Sequence, residues 1–376
     1  MANQILQQSG EQTEEERLSP EELLLFRLRK LYRQYGYRPY RMSKFEKYEL
    51  YAGNKDFLVS DRIITFNDTN GELLALKPDV TLSIVKSAQF HVNRVERLYY
   101  QENVYRPSGS AHQFREIMQC GLECIGDLDC YGLFEVLFLA DESLRAVSEE
   151  SVLSFSHLGI LKSLFRMLDA GDTQQEQLLS LIAARNLHEL SALFAARGWE
   201  DRLFQDVKAL LAVSCTLSHL PGELEALGLS WLGEGILQEL KILAKLSSRT
   251  DDRARFDFSV INDIHYYNGL VFQGFVRGIS EKFLSGGRYD SLLERMDRKG
   301  AAVGFAVYLG LLEQLRQPEE TFEADVLLLY DEKTDPEALL DAEKALHAEG
   351  KSVSAQRSMA GRYAQVLDLR EEACNA

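Results

Sequence analysis

A long leucine-rich stretch with helical periodicity interrupts a series of short strand-like runs, and it constrains the fold more than any other feature of the sequence. Between Leu158 and Lys245 nearly every segment repeats apolar residues at helical spacing, and strand-like runs resume at Phe256. This change of period predicts a helical insertion, about residues 158–250, between two parts of one sheet domain. The predicted fold class is therefore α+β.

The N-terminal region contains a clear helix start. Residues 1–18 are polar and rich in Glu and Gln, which predicts a flexible tail. The segment Ser19-Pro20-Glu21-Glu22 then combines an N-cap, a proline at the first helical position and a capping-box glutamate. We therefore expect a helix from this segment to Gly36, at the start of a main domain that covers residues 19–321.

Strand and turn patterns follow on both sides of the insertion. Ile63–Phe66 and Leu73–Leu76 flank an Asn/Asp/Gly turn, which predicts a hairpin, and Pro78–Thr81 predicts the start of a helix. Antiparallel strands are predicted at Leu98–Tyr100, Asn103–Arg106 and Arg115–Gln119. Beyond the insertion the pattern predicts a tight turn at Ser285–Asp290 leading into a helix, and a further helix beginning at Val303–Ala306.

The C-terminal residues form a separate pattern. A strand over Ala324–Tyr330, a helix near Pro336–His347, and a final strand and helix predict a short α/β domain over residues 322–376.

Composition argues against several classes of function. The formal charge of −16 disfavours a nucleic-acid partner, because phosphate binding relies on clustered Lys and Arg. The five cysteines lack metal-ligand spacing, which favours reduced thiols and no metal site. No apolar run reaches the roughly 20 residues that span a bilayer, so we expect no membrane partner and a cytoplasmic protein. No cofactor is expected.

Four separated segments together carry a family resemblance: Leu76–Thr81, Tyr105-Arg106 through Arg115–Glu123, Tyr266–Gly269 and Gly286–Asp290. Their order and spacing resemble the class II histidyl-tRNA synthetase catalytic domain over about Pro20–Leu315. The resemblance implies a class II aminoacyl-tRNA synthetase-like antiparallel sheet flanked by helices, with the helical insertion and the short C-terminal α/β unit added to it.

The resemblance also implies a set of residues that bind free histidine. An amine needs acceptors, a role implied for Asp79, Thr81 and Gln119. Glu123 and Tyr266 would face the imidazole, Tyr267 would share the aromatic wall, Tyr289 would close the pocket, and Arg106 would face the carboxylate. Taken singly, each has a plain alternative. Asp79 could cap the following helix, Glu123 could be solvated, Tyr289 could belong to the core, and Arg106 could pair with a surface carboxylate.

Several positions depart from the family pattern on the side that handles ATP. Asn262 and Leu311 stand where the family has arginines, and His265 stands where it has an aspartate. The adenine contacts are replaced by Ser108 and Ile117, and a loop arginine by Gln113. Losing one group that stabilises transition-state charge costs about 10²–10³-fold in rate. The pattern thus indicates a pocket that binds an amino acid without activating it, and no catalytic residues are assigned.

The closest resemblance is to the regulatory subunits of ATP phosphoribosyltransferase. It implies a noncatalytic protein that binds the short-form catalytic subunit, activates it in the first step of histidine biosynthesis and takes part in histidine feedback. It also implies a dimer through Arg38–Tyr51 within a hetero-octamer. The C-terminal residues are too few for an anticodon-binding domain of about 100 residues. Two alternatives stay open: a divergent active histidyl-tRNA synthetase, and a synthetase-like module that senses transfer RNA.

Overall fold

The computed structural model describes residues 19–58, 62–89, 94–107, 113–229, 231–258, 260, 266–315 and 322–370. The predicted flexible tail, residues 1–18, lies outside them. Two compact units are present, Ser19–Leu315 and a second that includes residues 322–370, and each has its own sheets.

The helices and strands of the described chain have the following bounds. The helices are α1 Pro20–Gln34, α2 Tyr48–Ala52, α3 Thr81–Ser87, α4 Cys130–Arg145, α5 Leu158–Met167, α6 Asp172–Ala183, α7 Leu187–Arg197, α8 Asp201–Ala212, α9 Leu220–Leu227, α10 Glu234–Thr250, α11 Asp290–Arg295 and α12 Pro336–Ala348. The strands are β1 Arg38–Tyr40, β2 Phe45–Lys47, β3 Thr65–Asn67, β4 Leu73–Leu76, β5 Val95–Pro107, β6 Phe114–Gly126, β7 Ser151–His157, β8 Ser214–Thr216, β9 Ala254–Asp257, β10 Leu270–Val276, β11 Leu284–Arg288, β12 Ala301–Tyr308, β13 Ala324–Leu329, β14 Val353–Gln356 and β15 Tyr363–Asp368. Short 3₁₀ turns occupy Lys55–Phe57 and Leu309–Leu315.

The first unit is built on a nine-stranded sheet with the order β1-β5-β6-β12-β11-β10-β7-β9-β8. Its central strands are antiparallel, whereas β1 with β5 and β7 with β9 are parallel pairs. The two longest strands, β5 and β6, pair along their whole length from Val95 opposite Gly126 to Pro107 opposite Phe114. The α+β class with a class II synthetase-like sheet is thus confirmed.

Alternation of side chains along the central strands divides the core into two clusters. Cys120, Leu122 and Cys124 point to the face that α1, α4 and the helical insertion cover. Ile125, together with Leu98 of β5 and Ala302 of β12, points to the opposite face, which α3 and α11 cover. The second face carries the candidate site.

The helical insertion is confirmed as α5 to α10, with one exception. Ser214–Thr216 forms β8, which pairs with β9 and extends the main sheet. This short strand contains no alternating pattern long enough to separate it from the surrounding helices. Strands resume at Ala254, close to the predicted Phe256.

Two predictions near the end of the first unit are wrong, although the helix predicted to follow Asp290 is present as α11. Ser285–Asp290 is not a turn: its first four residues belong to β11. Val303–Ala306 does not open a helix but lies within β12, which pairs with both β11 and β6. The glycines in both segments serve close packing within a sheet and do not mark turns.

Other local predictions hold. Ser19 caps α1 with a complete capping box that includes Glu22. The predicted hairpin is present as β3 and β4, which belong to a small three-stranded sheet with β2. The two strands predicted at Leu98–Tyr100 and Asn103–Arg106 are parts of the single strand β5.

The second unit contains a three-stranded parallel sheet with the order β14-β13-β15. Helix α12 connects β13 to β14, as the sequence predicts. The predicted final helix is wrong within residues 322–370, because the segment ends with strand β15. Val326, Leu327 and Leu328 of the central strand are buried.

Candidate functional site

Glu123 is a buried carboxyl in the middle of the main sheet. It lies on β6 between Leu98 of β5 and Gly304 of β12, and its residue surface is 2% exposed. Gly304 makes room for it, because a Cβ atom there would lie 1.7 Å from Glu123 Oε2. The sheet is therefore shaped around this side chain, and the alternative of a solvated Glu123 is excluded.

Both oxygens of Glu123 accept hydrogen bonds from hydroxyl groups. Thr81 Oγ1 donates to Oε1 at 2.8 Å, and Tyr289 Oη donates to Oε2 at 2.5 Å. Burial raises the pKa of Glu123 to about 8, which outweighs the opposing effect of these two hydrogen bonds. At neutral pH the site therefore holds a largely protonated carboxyl group, able to donate a hydrogen bond of its own.

Three tyrosines form a wall beside Glu123. The ring centroids of Tyr266 and Tyr267 lie 4.7 Å apart, and those of Tyr266 and Tyr289 lie 5.8 Å apart. Gly287 leaves space for this wall, since a Cβ atom there would lie 2.6 Å from Tyr267 Cδ1. Burial raises the pKa of both Tyr266 and Tyr289 well above its usual range, so both hydroxyls stay protonated.

Asp79 and Arg106 form an ion pair at the edge of this group. Arg106 Nη2 lies 3.5 Å from Asp79 Oδ2, and Arg106 Nε donates to the Pro78 carbonyl at 2.7 Å. Asp79 Oδ1 also accepts from the Leu82 amide at 2.9 Å, so Asp79 caps α3 as the plain alternative stated. Burial raises the pKa of Asp79, although Arg106 opposes the shift.

Gln119 belongs to the same face of the sheet as Glu123. It precedes Glu123 by four positions on β6, is 2% exposed, and pairs in register with Glu102 of β5 and Tyr308 of β12. Contacts and strand register thus bring the eight predicted residues to one side of one sheet. Tyr289 also belongs to the core cluster on that side, as its plain alternative stated.

A buried ion pair next to the site was not predicted. Lys77 is 2% exposed and its Nζ contacts Glu102 Oε2, while Glu102 Oε1 accepts from the Met42 amide at 3.2 Å. Lys77 directly precedes Pro78-Asp79, so the pair anchors the segment that carries Asp79. No sequence pattern marks Lys77 as buried. Glycines at positions 287 and 304, inside strand-like apolar runs, do indicate the close approach of other groups.

The positions on the predicted nucleotide side are apolar or exposed where the structure describes them. Leu311 packs against the larger core cluster, and Ile117 packs against the cluster around the site. Gln113 is exposed. Ser108, Asn262 and His265 lie outside the described residues. Leu311 and Ile117 therefore present hydrocarbon at positions where the family pattern has an arginine and an aromatic residue.

Metal centres and membrane spans are the two other kinds of feature considered for the described residues. Across the described ranges, no cluster of three or more His, Cys, Asp or Glu side chains is arranged to hold a metal ion. Of the helices in the part of the chain that the structure covers, none combines the length and the apolarity that a membrane span requires.

Comparisons with known proteins agree on one family. The histidyl-tRNA synthetase family model matches residues 11–312. An ATP phosphoribosyltransferase regulatory subunit from Oceanobacillus iheyensis is 26% identical over 327 residues, covering 85% of this chain and 80% of the relative. The protein of the same name from Halothermothrix orenii is 28% identical over 353 residues, covering 87% and 80%.

Solved structures share the fold. A Bacillus halodurans protein described as an ATP phosphoribosyltransferase regulatory subunit/histidyl-tRNA synthetase superposes with a TM-score of 0.74 at 22% identity, covering 94% of each chain. A chain of the ATP phosphoribosyl transferase (HisG:HisZ) complex from Thermotoga maritima gives a TM-score of 0.60 at 19% identity, covering 78% of this chain and 98% of that one.

Proposed function

This chain belongs to the histidyl-tRNA synthetase family, and from that premise we propose that it is a noncatalytic regulatory subunit of ATP phosphoribosyltransferase. In this role it would bind the short-form catalytic subunit in the cytoplasm, support its activity in the first step of histidine biosynthesis, and take part in feedback by histidine. The names of the curated relatives, which match most of the chain, support this assignment.

The observation that carries the proposal is the asymmetry of the site. One half is a buried, fully hydrogen-bonded carboxyl with three tyrosines around it, which suits an imidazole that needs a partner for each ring nitrogen. On the expected nucleotide side, Ile117 packs against the apolar cluster around the site, whereas Leu311 packs against the larger core cluster on the opposite face of the sheet. A site with these two halves would bind histidine and leave ATP unactivated.

The ligand roles of the individual residues belong to this proposal. Glu123 and Tyr266 would bind the imidazole, with Tyr267 and Tyr289 enclosing it. Asp79, Thr81 and Gln119 would accept hydrogen bonds from the amine. Arg106 would face the carboxylate. Its guanidinium would then turn partly away from Asp79. The 3.5 Å between Arg106 Nη2 and Asp79 Oδ2 makes this easier than it would be from a short bidentate ion pair.

The proposed partners are the short-form catalytic subunit and a second copy of this chain. A dimer through Arg38–Tyr51, within a hetero-octamer, follows from the family resemblance. A chain of the same fold belongs to the ATP phosphoribosyl transferase (HisG:HisZ) complex from Thermotoga maritima, which supports the catalytic subunit as a partner.

The test is reconstitution. We expect the short-form catalytic subunit to co-purify with this protein and to turn over ATP and phosphoribosyl pyrophosphate faster in the mixture than alone, while this protein alone shows no turnover. Equal rates with and without this protein, measured at concentrations where both are folded, would refute the regulatory role.

The alternative with support of its own is a divergent histidyl-tRNA synthetase, because the family model carries that name. Histidine-dependent exchange of pyrophosphate into ATP separates the two. We expect no exchange above a no-enzyme blank, and none after Asn262→Arg alone, because Leu311 would still replace the second cation. Exchange clearly above the blank would favour the synthetase, and retention of transfer RNA on a column of this protein would favour the sensing module.

A further inference from the structure

A chain of charged side chains connects the helical insertion to the sheet beside the candidate site. His157 Nε2 lies 3.1 Å from Glu239 Oε2, and Glu239 Oε1 accepts from Arg288 Nη1 at 2.6 Å. Arg288 Nε then donates to Asp290 Oδ2 at 2.7 Å. Glu239 belongs to α10 of the insertion, whereas Arg288 and Asp290 flank Tyr289.

The tautomer of His157 allows its ring to donate a hydrogen bond to Glu239. Its Nδ1 accepts a hydrogen bond from the Gly159 amide at 3.1 Å, so the proton of the neutral ring resides on Nε2, which faces Glu239. The His157 side chain is 3% exposed and that of Glu239 is 16% exposed. Both groups are therefore largely removed from water and depend on each other for hydrogen bonding.

Glu239 also contacts the backbone that carries the tyrosine wall. The Leu270 amide donates to its carboxylate. Burial alone would raise the pKa of Glu239, but His157, the charge of Arg288 and this backbone hydrogen bond together hold it below its usual range. Gly269 lies directly against the same group, because a Cβ atom there would be 3.3 Å from Glu239 Oε2 and 3.0 Å from Arg288 Cδ. A side chain at position 269 would thus require the Arg288 and Glu239 side chains to shift by a few tenths of an ångström.

Backbone and side-chain hydrogen bonds complete the attachment of the Tyr266–Gly269 segment. The Asn268 amide donates to the Arg288 carbonyl at 2.9 Å, and the Leu158 amide donates to the Gly269 carbonyl at 2.9 Å. Asn268 Oδ1 accepts from the Asp290 amide at 3.1 Å. The segment is therefore bound on one side by β11 and on the other by the start of α5 and by Glu239 of α10.

An apolar contact would hold these elements together without fixing their register, whereas directional hydrogen bonds between these partly buried charged groups favour one arrangement over others. From this geometry we infer that Glu239 is a positioning residue for the histidine pocket. It holds the Tyr266–Gly269 segment and, through Arg288, Tyr289 in the places from which they enclose a ligand. This inference rests on the proposed function for the identity of the ligand.

Through Glu239, the helical insertion would be coupled to the histidine site. A ligand that favours one position of the tyrosine wall must favour the matching position of α10, and a partner that shifts α10 must change ligand affinity by the same factor. The helical insertion would then report the state of the pocket to whatever binds its outer surface.

The experiment compares Glu239→Gln with Glu234→Gln, which removes the same charge from an exposed position on the same helix. Histidine affinity is measured by calorimetry, and hydrogen exchange is followed at the amides of Leu158, Asn268 and Leu270. We expect Glu239→Gln to weaken histidine binding about two- to thirtyfold and to speed exchange at these three amides, while Glu234→Gln changes neither.

The outcomes separate the two proposals. Unchanged affinity and unchanged exchange in Glu239→Gln would overturn the positioning role, and so would exchange that rises equally throughout the chain. If the unaltered protein binds no histidine, the proposed function fails, and faster exchange confined to the three amides would still support positioning. If Glu239→Gln does not fold, Arg288→Lys serves instead, because lysine keeps the charge but loses the fork that reaches Glu239 and Asp290 together.

Discussion

Tyr289 donates a 2.5 Å hydrogen bond to Glu123 across the centre of the main sheet, although the two residues are 166 positions apart in the chain. The bond joins β6 to the start of α11 through side chains that are almost fully buried. Since Thr81 occupies the other oxygen of Glu123, three distant segments meet at one carboxyl group. The site and the folded core are thus the same structure at this point.

Replacing Glu123 should weaken histidine binding. We expect Glu123→Ala to cost about 1–3 kcal/mol of binding free energy, because the imidazole and the hydroxyls of Thr81 and Tyr289 would lose their common partner. Calorimetry at fixed pH measures the change. Glu116→Ala, at an exposed position of the same strand, is the matched control. Equal affinities in both variants and the unaltered protein would contradict a role of Glu123 in binding.

The stability of the ligand-free protein should depend on pH through Glu123. Its pKa rises from 4.5 to about 8 on folding, so between these values the native state holds a proton that the unfolded state lacks. This contribution is fully present below about pH 4.5 and is lost as the pH rises through about 8, with a slope of at most about 1.4 kcal/mol per pH unit.

Urea unfolding of the unaltered protein and Glu123→Gln at several pH values isolates that group. The unaltered protein should lose stability relative to the glutamine variant as the pH rises from 5 to 8. A difference in unfolding free energy that stays constant over this range would show that Glu123 does not carry the shifted pKa.

A methyl group at position 304 should disturb both folding and binding. The new Cβ atom would lie 1.7 Å from Glu123 Oε2 and 2.5 Å from the Leu122 carbonyl oxygen, so the strands or the carboxyl must move. We expect Gly304→Ala to lower unfolding free energy by about 1–3 kcal/mol and to weaken histidine binding. Gly310→Ala, which meets nothing within 4 Å, should change neither.

Histidine and the catalytic subunit's substrates should influence each other's binding within the assembled complex. Coupling between two binding sites is reciprocal. If histidine weakens the binding of a substrate, that substrate must weaken the binding of histidine by the same factor, corresponding to about 1–3 kcal/mol. Calorimetric titration of the complex with histidine, in the presence and absence of phosphoribosyl pyrophosphate, measures this. An unchanged affinity would mean that histidine bound to this protein does not carry the feedback signal.

Local sequence patterns predicted the fold where one interaction dominates. The capping box at Ser19, the hairpin around Gly71 and the insertion's leucine periodicity all depend on neighbours in the chain, and all are present. The predictions of a turn at Gly286 and of a helix start at Gly304 are wrong, because both glycines lie within strands. The purpose of glycine at these positions is set by groups far away in sequence, Phe272 against the first and Glu123 against the second.

The family pattern predicted eight positions that the structure brings to one side of the sheet, but not the contacts among them. Nothing in the sequence indicated that Asp79 would pair with Arg106 while also capping α3. The burial of Lys77 against Glu102 was equally hidden, because it depends on the register between β5 and the segment before α3.

Side chains of β6 alternate between the two faces of the sheet: Gln119 and Glu123 face the candidate site, and Cys120 and Cys124 face the larger core. Loss of the Glu123 carboxyl would leave the buried hydroxyls of Thr81 and Tyr289 without their shared partner, so selection for folding would retain this residue even in the absence of any ligand.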